Sequence, residues 1–239
     1  MVNNDNNTSL SRGEYSMNYE LDYYQKKAVI CKSRNTLVIA APGSGKTTVI
    51  VNRLIYLTEK VKVPAENIAV ITFTKIAAEN MKSRYLELSN SYKAPFFGTM
   101  HSLFYKMLKQ CYGNIKIISE KEAFDLIHNI LHSYLEHISE EKVKEVLNNI
   151  SLSKNSSNFI PSMDNNAFYE CLKGYEEYKK MKNLMDFDDL QLCCRELLKK
   201  DPSILNKYRN KYKYLLVDEF QDTDEVQIQI LKMLNYCAE

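Results

Sequence analysis

The sequence predicts an α/β domain with a parallel sheet, interrupted by an inserted, mostly α-helical subdomain. Three observations carry that prediction. Apolar runs of strand length alternate with longer runs of helical period, the pattern of strands joined by crossover helices. A glycine knot sits between the first such pair, in "VIAAPGSGKTTVIVNRLIYL", residues 38–57. The alternation lapses over residues 111–185 and resumes in "YKYLLVDEFQD", so the α/β part is discontinuous in sequence.

Taken in order, residues 1–16 are polar and Asn-rich, too poor in apolar groups to repay the entropy of ordering, and a disordered extension is expected there. From Met17, "YELDYYQKKAVICK" reads as a short helix, "NTLVIA" as a buried strand, and Thr47 to Leu57 as a helix with apolar Val49, Ile50, Leu54 and Leu57. The strand "NIAVITF" and the helix "KIAAENMKSRYLEL" form a second unit; "PFFGTMHSLFYKML" supplies a third strand and helix. In the interruption, the strand-like "IKII" precedes helical text such as "EKEAFDLIHNILHSYL" and "NAFYECLKGYEEYKKMK", broken at "SKNSSNFIPSMD". Helical "DFDDLQLCCRELLKK", the acid-tipped strand, and a helix from about Glu225 complete the chain. The expected division is 1–16 extension, 17–110 plus 186–239 α/β domain, and 111–185 insertion.

Composition sets limits on function. The 239 residues are 45% hydrophobic and 26% charged, which suits a globular chain with a sizeable core. With 32 basic against 30 acidic residues the net charge is +2, so contact with nucleic acid must be local rather than a bulk attraction. Six cysteines without a C-x-x-C pair read as reduced thiols of a cytoplasmic protein. Apolar runs fall short of the roughly 18 residues of a membrane span, so no membrane partner is expected.

The chemistry concentrates at two places. Gly43 and Gly45 let the backbone curl so that its N–H groups face phosphate oxygens, and the helix that follows presents unsatisfied donors and a positive dipole end. Lys46 would reach the terminal phosphates and the Thr47 hydroxyl would ligate Mg²⁺, with Ala41, Pro42, Ser44 and Thr48 completing the loop. The pattern is A-x-x-x-x-G-K-T, with Ala40 at a position the strict pattern gives to glycine. Hydrolysis also needs a metal-anchoring carboxylate and a group that poises water. Asp218 and Glu219, ending an apolar strand, are candidates for the two roles; the competing reading is a pair of ordinary turn acids.

These segments resemble, in order, those of the UvrD/Rep-type superfamily 1 DNA helicases. "LDYYQKKAV" looks like the Q motif, "AAPGSGKTT" like motif I, "ITFTKIAAENM" like motif Ia and "GTMHS" like motif Ib. "ISLSKN", "MDFDDL" and "LLVDEFQDT" with Gln227 are similar to the inserted-domain signature, the DFDDL segment and motif II. The resemblance implies a RecA-like P-loop NTPase fold, ATP and Mg²⁺ as cofactors, and a 3′ to 5′ motor on single-stranded DNA and duplex junctions. It implies that Gln25 reads the adenine edge, that Gln221 and Asp222 couple the γ-phosphate to the DNA side, and that Phe73 and Phe187 stack on bases. It also implies DNA-backbone contacts from Thr99, His101 and Ser102. Core packing is the competing reading for the two phenylalanines, and a helix cap for the Thr99 group. Tyr23 and Tyr24 stand where the Q motif usually has proline, Ile76 interrupts motif Ia, Thr48 replaces a frequent arginine, and Pro42 a small residue.

The family continues into a second RecA-like domain that supplies an arginine finger, worth about 10³ to 10⁵ in rate. The expectation is therefore an N-terminal motor fragment that hydrolyses ATP feebly and does not unwind alone. The alternatives are a non-unwinding, nucleotide-dependent strand-binding or regulatory module, or the motor of a helicase-nuclease or phage-defence complex. His128, His132 and His137 lack the partners of a zinc site and read as helix surface. The lysines of "KKDPSILNKYRNKYKY" read as a solvated basic face or a nucleic-acid patch, and Cys193 and Cys194 as packing residues.

Overall fold

A computed structural model describes residues 21–134, 137–155, 159–162 and 165–235; the expected extension 1–16 and Cys237 lie outside the described residues. In chain order the elements are α1 (Tyr23–Ile30), α2 (Lys46–Ile55), β1 (Ile68–Ile71), α3 (Lys75–Leu88), β2 (Phe96–Gly98), α4 (Met100–Tyr112), β3 (Lys116–Ile117) and α5 (Glu120–Leu131). There follow α6 (Glu140–Asn155), α7 (Asn165–Lys182), β4 (Leu184–Met185), α8 (Phe187–Lys200), α9 (Pro202–Lys211), β5 (Tyr214–Val217) and α10 (Glu225–Leu234). The chain divides into two compact units, 1–63 with 83–92, and 64–82 with 93–239.

In the first unit a capping box starts α1: Asp22 Oδ1 accepts from the Gln25 amide and Gln25 Oε1 accepts from the Asp22 amide. Helix α2 turns Val51, Leu54 and Ile55 inward, and the Arg53 guanidinium donates to the Val29 carbonyl at 2.6 Å, tying α2 to α1. A wider π-type turn, Tyr56–Lys60, prolongs α2. There Thr58 Oγ1 donates back to the Leu54 carbonyl and accepts from the buried Tyr85 hydroxyl.

One expected element is absent. "NTLVIA" forms no strand, and Leu37, Val38 and Ile39 are exposed, Ile39 to 88%. An extended segment becomes a strand only where a neighbour accepts its N–H and C=O groups. The described residues of this unit hold helices and turns alone, so apolar content has no ladder to join.

The second unit holds a three-stranded parallel sheet, order β2-β1-β5, with Val70 opposite Phe97 on one side and Leu216 on the other. All four residues of β1 are buried, as a central parallel strand covered on both faces requires. One core joins Ala69 and Ile71 to Leu103, Phe104 and Met107 of α4, Leu190, Cys194 and Leu198 of α8, Tyr208 of α9, and Val226 and Ile230 of α10. A second core gathers Ile127 of α5, Val143, Val146 and Ile150 of α6, and Phe168, Cys171 and Tyr175 of α7. The short parallel pair β3–β4 flanks these helices in sequence, with Lys116 opposite Leu184. Helix α6 continues through "SKN" to Asn155, where a break was expected at Ser153. Side-chain bonds of Lys154 and Asn155 hold that last turn.

Candidate functional site

The first unit holds the glycine loop. Gly43 and Gly45 take φ of 77° and 82°, the left-handed region open to glycine, and the Ser44 amide closes the turn on the Ala41 carbonyl at 3.2 Å. Lys46 opens α2, whose N-cap, Gly45, offers no side chain and whose first turn carries no acid. No side chain caps this helix start, and no acid in the first turn offsets the positive dipole end. Gln25 Nε2 donates to the Ser44 carbonyl at 3.0 Å, which pins the loop to α1. That bond and the capping box use one donor and one lone pair of the Gln25 amide, leaving one of each for a ligand edge. A Cβ on Gly45 would come 3.0 Å from Gln25 Nε2 and press on the side chain that pins the loop, at a φ that other residues rarely adopt. Lys46 Nζ lies 3.5 Å from the Ala40 carbonyl, and Thr47 and Thr48 follow within the first turn of α2.

In the second unit, the carboxyl ends of β1, β2 and β5 surround a cleft of about 80 Å³, where open parallel sheets place their ligands. Its lining includes Phe73, Thr99, His101, Asp218, Glu219 and Gln227. The Asp218 amide donates to the Ile71 carbonyl at 2.8 Å, extending the ladder one residue past β5. Glu219 is a non-glycine residue at φ 49°, a conformation that costs about 1 to 2 kcal/mol and that here turns the chain into the 3₁₀ turn Phe220–Asp222. Gln221 Nε2 donates to Glu219 Oε2 at 2.6 Å and fixes the carboxylate.

Phe73 is 67% and Phe187 53% exposed, so neither is a core residue. The His101 ring stands 5.1 Å from that of Phe187, joining the starts of α4 and α8 into one aromatic pair. Burial lowers the His101 pKa below its ordinary value, against the pull of Asp188 and Asp224. Thr99 and Ser102 serve as the cap of α4: Thr99 Oγ1 accepts from the Ser102 amide at 3.2 Å and Ser102 Oγ donates to the Thr99 carbonyl at 2.7 Å. The Thr99 O–H and the Ser102 lone pairs remain for other partners.

Behind this cleft lies a polar network whose partners the sequence does not name. Gln227 donates to Gln191 at 3.1 Å, buried Gln191 donates to Asn155 at 2.9 Å, and Asn155 donates to Asp188 at 2.6 Å. Beside it, Lys154 and Lys179 each lie within 2.7 Å of Asp186 and Asp189 and within 3.1 Å of Glu176. Burial opposes the charge on Asp186, yet Lys154 and Lys179 hold its carboxyl down to about 2. Burial likewise opposes the charge on Lys154, and Asp186 and Asp189 push its pKa well above the usual lysine value. These three acids are grouped closely enough for a cation, and the two ammoniums already fill that role. The rings of His128 and His132 stand 6.4 Å apart at the end of α5. The short polar spacings of "SKN" and "DFDDLQ" were the available signal for the network, since helices α6 and α8 each present one side of it.

Comparison with known proteins adds the following. Residues 21–238 match the family described as UvrD/REP helicase N-terminal domain. The chain is 35% identical over 233 residues to a probable DNA helicase II homolog of Mycoplasma capricolum, covering 90% of this chain and 32% of that protein. It is 34% identical to the putative ATP-dependent DNA helicase YjcD of Bacillus subtilis, with 88% and 30% covered. To the ATP-dependent DNA helicase Rep of Buchnera aphidicola it is 33% identical, with 90% and 35% covered. The chain thus spans about a third of the length of these relatives. Among the described residues no helix is long and apolar enough to cross a membrane.

Proposed function

Because the chain belongs to the UvrD/REP helicase N-terminal domain family, we propose that it is the ATP-binding first motor domain of an ATP-dependent DNA helicase that moves 3′ to 5′ on single-stranded DNA in the cytoplasm. The observation that supports this reading best is the cleft at the strand ends. It lines Asp218 and Glu219 on one side and exposed Phe73 with His101 on the other, so an acidic pair suited to hydrolysis sits beside a surface suited to bases. The positive φ of Gly43 and Gly45, together with an α2 start that no side chain caps and no acid offsets, supports nucleotide binding in the other unit.

On this reading ATP supplies the phosphoanhydride whose cleavage drives movement, and Mg²⁺ neutralises its phosphates. The loop Ala41–Thr48 would hold the phosphates by backbone amides and the Lys46 ammonium, Gln25 would meet the adenine edge, and Thr47 in the first unit and Asp218 in the second are each proposed as a Mg²⁺ ligand. Glu219, oriented by Gln221, takes the proton of the attacking water, and Gln221 with Asp222 couples that event to the strand. Phe73 and Phe187 accept any base on an aromatic face, which a sequence-indifferent motor needs; Thr99, His101 and Ser102 hold the backbone. Residues 111–185 form a helical insertion within a RecA-like domain made of 17–110 and 186–239. A second RecA-like domain would complete the machine at duplex junctions.

The test is ATP hydrolysis, with and without single-stranded DNA, by this chain and by one extended to the length of its relatives. The extended chain is expected to hydrolyse faster with DNA, and this chain to be slow in both conditions. An extended chain indifferent to DNA overturns the motor reading.

A further inference from the structure

The cleft described above lies at the carboxyl ends of the strands, and the amino ends of the same sheet carry a different surface. Phe96 opens β2, Tyr212 lies two residues before β5, and Asn67, one residue before β1, donates to the Lys211 carbonyl at 2.8 Å. Along this edge runs a row of rings. Phe96 and Tyr212 are 6.2 Å apart, and Tyr212 and Tyr208 are stacked at 6.4 Å. Each ring carries an ammonium on its face: Lys106 of α4 stands 5.0 Å from Phe96, Lys211 5.4 Å from Tyr212, and Lys207 5.9 Å from Tyr208.

Three like charges have been gathered here at a cost. Among the described residues no carboxylate comes within ion-pair distance of any of the three, whereas Lys199, in the same basic stretch, pairs with Glu196. Arg209 is likewise committed, donating to the Met233 carbonyl at 2.8 Å. Burial lowers the Lys211 pKa and the charges of Lys106 and Lys207 lower it further, which is the mark of cations lacking an anion. The cation–π contacts offset part of the repulsion and hold the ammoniums outward over the rings.

The geometry points to a second nucleic-acid contact, in which Lys106, Lys207 and Lys211 bind the phosphate backbone at the amino end of the sheet, apart from the base-stacking cleft. Nucleic acid fits better than an acidic protein face. A protein interface needs a buried apolar anchor at its centre, and the rings of Tyr208 and Tyr212 are themselves buried beneath the lysines and offer none. Lysine ammoniums, compact charges with donors in several directions, suit phosphates of any sequence. Lys207 and Lys211 lie one turn apart on α9, about 6 Å along its axis, so both face the same strand of phosphates.

This inference rests on the proposed action on DNA, and salt dependence separates the two. Affinity for a single strand and for a duplex is measured across a salt series for the unmodified chain, for Lys106→Gln/Lys207→Gln/Lys211→Gln, for the corresponding triple Arg variant, and for Phe187→Ala. Each phosphate contact contributes about 0.7 to the log–log slope on single strands and about 0.9 on duplex. The triple Gln variant is therefore expected to bind with a slope shallower by about 2 on single strands or about 3 on duplex, whichever the patch holds. The Arg variant keeps the original slope, and Mg-ATP binding is unchanged in both. A triple Gln slope equal to that of the unmodified chain, with Phe187→Ala weakened, overturns the patch and leaves the DNA reading standing. Absence of DNA binding by the unmodified chain overturns both.

Discussion

Lys179→Met probes the buried ion cluster that stands behind the cleft. Lys179 is 2% exposed and its ammonium lies 2.6 Å from both Asp186 and Asp189 and 2.9 Å from Glu176. Removing one member of a buried ion pair costs about 3 to 5 kcal/mol, because its partners keep their desolvation penalty without the attraction. Lys154 still touches all three acids, and Glu176 is 43% exposed, so the lower end applies, about 3 kcal/mol. For a domain of this size that is a fall in Tm of about 6 to 12 °C. The same change acts on the acid limb of stability. Asp186 is held down to about 2, below its ordinary 3.8, so its contribution is full above about pH 4 and is lost as pH falls towards 2. Without Lys179 its pKa rises and acid unfolding begins at a higher pH. Urea and thermal unfolding between pH 2 and 7 measure both effects. A second substitution, Asp189→Asn, lowers the surplus of negative charge and recovers part of the loss. A Lys179→Met stability within about 0.5 kcal/mol of the original, with an unmoved acid limb, refutes the reasoning.

Two further predictions concern the proposed DNA face. Phe187→Ala removes a ring that is more than half exposed, so single-strand binding weakens by about 1 to 3 kcal/mol while the urea midpoint barely moves; global unfolding would instead show a core role. His101 titrates below the ordinary histidine value, so folding binds fewer protons there than the unfolded chain does. Stability from this group is then present above about pH 6.5 and lost as pH falls through the folded pKa; NMR titration of the ring checks the direction, and a pKa at or above 6.5 contradicts it.

The local chemistry was legible wherever one residue type admits one geometry. Glycines at 43 and 45 were read as the residues that let the backbone curl, and both take positive φ. Apolar runs with helical or strand period gave β1, β5 and α3 close to their observed bounds. Partnership was not legible. "NTLVIA" has the composition of a strand but forms none, because a strand is a property of two segments. Thr99 and Ser102 as a cap were readable from the spacing, whereas the exposure of Phe73 and Phe187 depends on what packs around them. The chain Gln227–Gln191–Asn155–Asp188 and the pairing of Lys154 and Lys179 with three acids join α6, α7, α8 and α10 across gaps of many residues. A sequence shows such groups as polar residues on helices, and only packing reveals that they are buried together.

The central claim is that the glycine loop grips a nucleotide, and calorimetric titration of Mg-ATP into the original chain and into Lys46→Ala tests it most directly. The account predicts a single saturable site in the original chain and none detectable in the variant, with both equally folded by circular dichroism. Equal affinity in the two proteins contradicts it.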